Sequence, residues 1–443
     1  MTERLRGRID EMKEWLVEVR RKIHMHPELG FEEVETAKLV MEWLERFGIE
    51  VKTGVARTGV VGLLRGKEPG KTVAIRADMD CLPMDEPQRV PYASKIKGKM
   101  HACGHDAHTT ILLGVARFFS GLSDRVKGNI KWIFQPAEEG GGGGEVMVKE
   151  GVLENPKVDA IFGAHVFPLL PVGKVGVYER EGLAAADRIT IKVVGKGGHG
   201  AFPHLCKDPI MVAGHLISQI HSVVSRDVNP IESGVISLCK ISGGTAFNII
   251  PDEVELWGTV RSLTPEVREK LRTRLEQVVK GVGESFGVDC RLDYEYGYPV
   301  LINDPEMSKL VAKACAEGIG SENVVVVKPA MGGEDFAYYK QMLVNVQNHL
   351  SIAPPEGLEI RIVMHGAGVN LLRRAAPADK QIAAQIDELK MAGVRFQVCA
   401  ITLKRGNIPL AELYDAEESD LVPSGVFEIA RLQQREGFAY LKI

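Results

Sequence analysis

The chain has 443 residues, 45% of them hydrophobic and 26% charged, with a formal net charge of −4. That length calls for two to four domains with real cores, and the slightly acidic balance excludes a general nucleic-acid binder, which carries a concentrated basic excess. Seven cysteines scattered at 81, 103, 206, 239, 290, 315 and 399 make a poor disulfide framework and fit a reducing compartment.

The opening stretch MTERLRGRIDEMKEWLVEVRRKIH is charged throughout and has no apolar core of signal-peptide type. Leu5, Ile9, Met12, Leu16, Val19 and Ile23 recur every three or four residues, the spacing of an amphipathic helix. No stretch approaches the ~18 apolar residues of a membrane span. A soluble, cytoplasmic protein is expected, with neither membrane nor nucleic acid as partner.

From about 50 to 180, TVAIRADMD, NIKWIFQPAEE and VDAIFGAHVF each read as a buried strand stopping at acidic residues or histidine, with helical stretches between, such as Thr110 to Ser120. This alternation predicts an α/β fold, a doubly wound, mostly parallel sheet with helices on both faces. Ligands collect beyond the carboxyl ends of such strands, where these polar clusters fall. Next, Ile189, Ile191 and Val193 alternate as in a strand, Pro209 to Val224 has helical spacing, and GVISLCKIS and VELWGTVRS read as strands. Pro265 to Phe286 reads as a long amphipathic helix, and a strand near Asp289 to Tyr296 closes the set. The order βαββαβ predicts an inserted α+β domain over about 183–297. The first domain then comprises 1–182 and 298–341, and a small α/β unit follows over 342–443. In that unit LEIRIVMHGAGV and VRFQVCAITL read as strands, and SGVFEIARLQQREGFAYLKI as a helix then a strand. KQMLVNVQNHL, at the junction, reads as continuous helix.

HACGHDAHTT, residues 101–110, holds the densest set of metal-binding side chains. Cys103 and His105 form a Cys-x-His pair that an extended loop can point at one spot, and thiolate and imidazole suit zinc and its neighbours. His101, Asp106 and His108 are assigned to support of those ligands. The alternative is a polar loop before a helix whose first turn Asp106 or Thr109 caps. Glu138 and Glu139 precede the five glycines Gly140 to Gly144, which let backbone approach closely and leave room for substrate. On its own such a pair reads equally as solvated surface. His165 follows the third strand, where a lone histidine can equally be structural.

Together, RRKIHMHPELGFEE, IRADMDCLPM, MHACGHDAHT, FQPAEEGGGG, GAHVFP, GKGGHGAFPH, FNIIPDEVELWGTVRSL and GGEDFAYY appear in order over about 5–340. This series resembles the metal-dependent N-acyl-amino-acid amidohydrolases, the hippurate hydrolase and auxin-conjugate hydrolase branch of the aminoacylase and carboxypeptidase superfamily. The resemblance implies two divalent ions (zinc, manganese, cobalt or nickel) held by Cys103, His105, Glu139 and His165. Glu138 would be general base toward a metal-activated water, cleaving the amide of a small N-acyl amino acid. Asp80 matches a supporting carboxylate of the family. His199 matches a histidine that stabilises the oxyanion, often in the active site of a homodimer partner, through the inserted domain acting as lid. Asn248 and Arg261 match positions that hold the substrate carboxylate. For His199, a tight glycine turn remains an equal reading, and Arg261 can be a solvated strand residue. His24 and His26 match a family motif with an expected structural role.

The chain departs from that family after residue 340. There the family continues with a closing segment and a final metal-binding histidine beside a proline, and no His-Pro pair follows here. Instead NVQNHLSIAPPEG, EIRIVMHGAGVNLL, GVRFQVCAITLKR and LVPSGVFEIARLQQREGFAYLKI resemble the DsrE-like small sulfur-relay proteins. His349 and His365 are candidates to replace the lost ligand, though both are assigned to the small unit. Cys399 is either a persulfide-bearing thiol or a core residue. The alternative function is therefore sulfur relay or protein binding through the C-terminal unit, with the hydrolase part impaired.

Overall fold

A computed structural model describes residues 7–340, the backbone of 361–364, and residues 372, 395–424 and 428. The chain divides into two compact units, Met1–Gln347 and Asn348–Ile443. No helix among the described residues is long and apolar enough to cross a membrane.

The first unit opens with helices α1 (Lys13–Met25) and α2 (Val34–Arg46), followed by strands β1 (Glu50–Val55), β2 (Gly59–Arg65) and β3 (Glu68–Asp78). Helix α3 (His105–Ser120), β4 (Lys127–Gln135), the short α4 (Gly143–Lys149) and β5 (Ala160–Gly163) follow. The strands form one sheet in the order β1-β2-β4-β3-β5. Pairs β3–β4 and β3–β5 are parallel, whereas β1–β2 and β2–β4 are antiparallel. The sheet is thus mixed rather than mostly parallel, because the short link from Val55 to Gly59 leaves room only for a hairpin.

Alternation along the strands separates two cores. Val60 and Leu64 of β2 and Ile130, Trp132 and Phe134 of β4 pack against α1, α2 and α3. Val61, Ala74 and Ile133 face the other way, against Met147 of α4, Leu301, Phe336 and Tyr339. Because β4 lies on one side of β3 and β5 on the other, with α3 and α4 on opposite faces, the winding reverses at β3. A doubly wound sheet opens a crevice at the carboxyl ends of the strands flanking such a reversal.

Beyond β6 (Val175–Val177) come β7 (Ala185–Val194), β8 (Gly198–His199), α5 (Pro209–Asp227), β9 (Gly234–Ser242), β10 (Ile249–Ile250), β11 (Glu253–Ser262), α6 (Pro265–Phe286) and β12 (Asp289–Tyr298). The antiparallel sheet β12-β7-β11-β9 carries both helices on one face. Ile189, Ile191 and Val193 of β7 meet Leu216 and Ile220 of α5 and Leu271 and Leu275 of α6. Both helices start where Asp-Pro and Thr-Pro allow. The Asp208 carboxylate accepts from the Ile210 and Met211 amides, and Thr264 Oγ1 accepts from that of Val267. The chain then returns through α7 (Pro305–Ile319) and β13 (Val324–Val326), which pairs in parallel with β6.

In the second unit β14 (Arg361–Met364), β15 (Arg395–Cys399) and β16 (Leu421–Val422) form a parallel sheet. The run VRFQVCAITL is not one strand: α8 (Ala400–Gly406) begins directly after Cys399. Phe396, Val398, Leu403 and Leu413 form its core, and Cys399 is buried. Residues 341–350 of KQMLVNVQNHL, which include His349, together with His365 and most of the last helix-and-strand stretch, lie outside the described residues.

Candidate active site

Strand β3 ends at Asp78 with Asp80 two residues on, β4 ends just before Glu138 and Glu139, and β5 ends just before His165. The sheet therefore delivers all five side chains to its carboxyl edge. Helix α3 supplies the rest, and its start differs from the expectation of an extended loop. His105 is its first helical residue. Neither Asp106 nor Thr109 caps it: Gly104 takes that place with φ +86°, and Thr109 Oγ1 donates instead to the Asp78 carbonyl at 2.7 Å.

Cys103, His105 and His165 bring ligand atoms within 4.8 Å of one another, and so do His105, Glu138 and Glu139. Cys103 Sγ lies 3.4 Å from His165 Nε2, and His105 Nε2 lies 3.8 Å from Glu139 Oε1. His105 Nδ1 is 3.2 Å from Asp80 Oδ1, while the other Asp80 oxygen accepts from the Glu139 amide at 2.9 Å. A carboxylate behind one ring nitrogen fixes an imidazole with its other nitrogen aimed at a metal. That other nitrogen, His105 Nε2, and Glu139 Oε1 are both buried without a hydrogen-bond partner. Buried polar atoms are seldom left so, and a soft–hard mix of thiolate, imidazole and carboxylate suits a divalent transition ion. The residues present fit one.

His108 has no such freedom. Its Nδ1 is 2.6 Å from Asp78 Oδ1 and its Nε2 accepts from the Val166 amide at 2.8 Å, so both nitrogens are used and the loop carrying His165 is tied to β3. His24 Nδ1 and Arg20 Nε both meet Asp106 Oδ2 at 2.7 Å, which makes His24 structural, and His26 Nδ1 donates to the Lys22 carbonyl. His101 is buried with both nitrogens unpartnered.

Glu138 is 7% exposed and shares its space with Glu334 and Asp335. Burial, reinforced by those two carboxylates against the pull of Arg76, pushes its carboxyl up to about 10. A cation beside it acts in the opposite sense. Burial also raises Glu139. Burial alone lowers His105, but the charges of Asp78 and Asp80 outweigh it and hold the imidazole well above its usual range.

Beneath Glu138 lies a network that sequence reasoning missed. Arg76 donates to Asp78 and Asp335 at 2.7 Å and to Gln135 at 2.8 Å, and its Nη2 is 3.1 Å from Glu334. Asp335 also accepts from Gln135 and from the Gly144 amide at 2.8 Å. An arginine in the middle of the buried run TVAIRADMD was the available signal. The glycines serve close approach here: a Cβ on Gly143 would sit 1.7 Å from the Pro136 carbonyl oxygen.

His199 and Asn248 come together at an exposed corner of the inserted part. His199 pairs with Ile249, and the Asn248 carbonyl accepts from the Gly200 amide at 2.9 Å. Among the described residues, no hydrogen bond or ring contact joins either to the strand-end cluster. Arg261, at the end of β11, lies beside Gly333, next to Glu334.

The mixed sheet thus presents a cluster fit for a divalent ion at its switch point, with a four-stranded antiparallel sheet and two helices set into the same unit. The profile of "Peptidase family M20/M25/M40" matches residues 74–371, and that of the "DsrE/DsrF-like family" matches 333–443. The chain is 42% identical over 334 residues to the IAA-amino acid hydrolase ILR1-like 4 of Arabidopsis thaliana, covering 74% of this chain and 75% of that one. It is 40% identical over 329 residues to N-acetylcysteine deacetylase of Bacillus subtilis, covering 74% and 86%. The crystal structure of Bacillus subtilis YXEP, a dinuclear metal-binding peptidase of family M20, superposes with a TM-score of 0.65 at 36% identity, covering 75% and 87%. The chain belongs to peptidase family M20/M25/M40 and is a hydrolase, with a DsrE-like C-terminal segment.

Proposed function

We propose that the chain hydrolyses the amide bond of small N-acyl amino acids, with Cys103, His105, Glu139 and His165 holding two divalent cations of the zinc, manganese, cobalt or nickel group. The observation that carries this is the pair of buried, unpartnered atoms His105 Nε2 and Glu139 Oε1, facing each other across 3.8 Å beside Cys103 and His165. The relatives support the substrate class: one is named an IAA-amino acid hydrolase and another an N-acetylcysteine deacetylase. Bound there, such cations lower the pKa of water to about 7 and polarise a carbonyl oxygen.

The protein's own groups do the rest. Glu138, buried beside the cluster, takes the proton of the attacking water and returns it to the departing amine nitrogen. Arg261 and Asn248 hold the amino-acid carboxylate, and His199 stabilises the oxyanion. His199 lies on a corner with Phe202, Leu205 and Phe247, all more than half exposed. We infer that a second copy covers this corner, with residues 183–297 as lid and homodimer contact, and that His199 and Asn248 serve the partner's site.

Glu138→Gln should lower hydrolysis of N-benzoyl- or N-acetyl-amino acids about 10²–10⁴-fold with metal content retained. Coexpressing it with His199→Ala should restore activity, because mixed dimers contain one complete site. An unaffected rate removes Glu138 from the mechanism, and a failure to complement removes the shared site.

The match over 333–443 supports a second reading, sulfur handling by the C-terminal unit. The burial of Cys399, 4% exposed, weighs against thiol chemistry there. Rapid alkylation of Cys399 in the native protein would favour it.

A further inference from the structure

The two carboxylates of the site, Glu138 and Glu139, are neighbours in sequence with different tasks, so the turn that carries them sets both directions at once. That turn is tight. The Gly140 amide donates back to the Glu138 carbonyl at 2.7 Å, and Gly140 has φ +87°, a conformation that favours glycine. Four more glycines follow it, and of these the Gly143 amide donates to the Ala137 carbonyl at 3.0 Å and the Gly144 amide to Asp335 Oδ2 at 2.8 Å. On one side the Asp80 carboxylate takes the Glu139 amide at 2.9 Å. On the other side stands Tyr298. Its hydroxyl accepts from the Gly140 amide at 2.9 Å and donates to the Glu138 carbonyl, spanning both ends of the turn.

Tyr298 is the last residue of β12, where the inserted part returns to the main sheet. Its position is itself fixed. The preceding Gly297 donates to Asp187 Oδ1 at 3.0 Å and accepts from Arg268 Nη2 at 3.1 Å and from the Tyr338 hydroxyl at 3.3 Å. Asp187 is in turn held by Arg268 Nε at 2.9 Å and by the Tyr294 hydroxyl at 2.6 Å. The Tyr338 ring meets that of Tyr298 edge-on at 6.1 Å.

We propose that Tyr298 is a positioning residue: its hydroxyl clamps the Glu138–Gly140 turn and so aims the general base and a metal ligand together, tying both to the exit strand of the inserted part. This rests on the amide hydrolase reading for the role of Glu138. The bonding pattern gives the phenol two partners on one turn, and removing it leaves Asp80 to hold the Glu139 amide while Glu33 holds the amide of the flanking Ala137 at 2.8 Å.

Tyr298→Phe keeps the ring and its contact with Tyr338 while deleting only the clamp. With N-acetyl-amino-acid substrate, kcat is expected to fall about tenfold or more while KM stays within about twofold, since misplacement of a reacting group costs rate rather than binding. Apparent Mn²⁺ affinity, measured by calorimetric titration without substrate, is expected to weaken about threefold or more. Tyr296→Phe, which deletes an exposed bond to Glu269 and none to the turn, should match the wild type in both. Unchanged kcat in Tyr298→Phe overturns the proposal. If the wild type hydrolyses no such substrate, the hydrolase reading fails, and the Mn²⁺ titration alone decides: equal affinities overturn the clamp.

Discussion

His24 and Asp106 show how much of this site's rigidity lies one contact away from it. Asp106 follows a candidate ligand in sequence but points to the N-terminal helix, where His24 Nδ1 meets it at 2.7 Å. Its hydrogen bond and charge hold His24 above 6.5, against burial and Arg20, with Glu86 adding to the rise and His101 and Tyr92 packed alongside. A group whose folded pKa is raised stabilises fully below its unfolded pKa, and that contribution fades as pH rises through the folded value. Replacing His24 with Gln should therefore cost about 1.5–3 kcal/mol at pH 6, and the gap to wild type should shrink by pH 9. A gap that widens with pH, in urea unfolding at the two values, would contradict the charged pairing. Cys103 and His105 could be picked out from residue type, and the Glu138–Glu139 pair and His165 from strand-end position, but the division of roles between the two glutamates came from the family resemblance alone. That His105 keeps a nitrogen free and His108 does not could not be picked out, because the choice belongs to Asp80, Asp78 and the Val166 amide, far away along the chain.

At the scale of elements, Arg76 is the clearest dependence. It joins the ends of β3 and β4 to the segment holding Glu334 and Asp335, and 259 residues separate Arg76 from Asp335. Removing it leaves buried carboxylates uncompensated, so Arg76→Met should lower stability by about 3–5 kcal/mol. Thermal unfolding of the two proteins checks this, and an unchanged midpoint would mean that the carboxylates find other partners. The strands and helices themselves were legible where periodicity was strong: Pro265–Phe286 and Gly234–Ser242 begin and end where the apolar pattern puts them. The antiparallel half of the sheet was not, since pairing direction depends on the β1–β2 hairpin and not on apolar content. The end of β15 was misread because Ala-Ile-Thr-Leu is apolar enough for either structure, and only packing of Leu403 into the small core decides for helix.

For the whole molecule, the two family matches overlap over residues 333–371, across the junction that the change of resemblance marks near Lys340. The M20/M25/M40 match runs past GGEDFAYY to residue 371, yet no His-Pro pair lies downstream of that motif. On the proposed ligand set, four side chains shared between two cations would leave the pair unequal, one bound tightly and the other weakly. Metal content per chain, by elemental analysis of the dialysed protein and again after equilibration with excess Mn²⁺, tests this most directly, with Cys103→Ser alongside. The expected result is about one ion retained on dialysis, a second taken up in excess metal, and most of the retained ion lost in the variant. Retention well below one ion per chain, or equal content in wild type and Cys103→Ser, would contradict the cluster as a metal site.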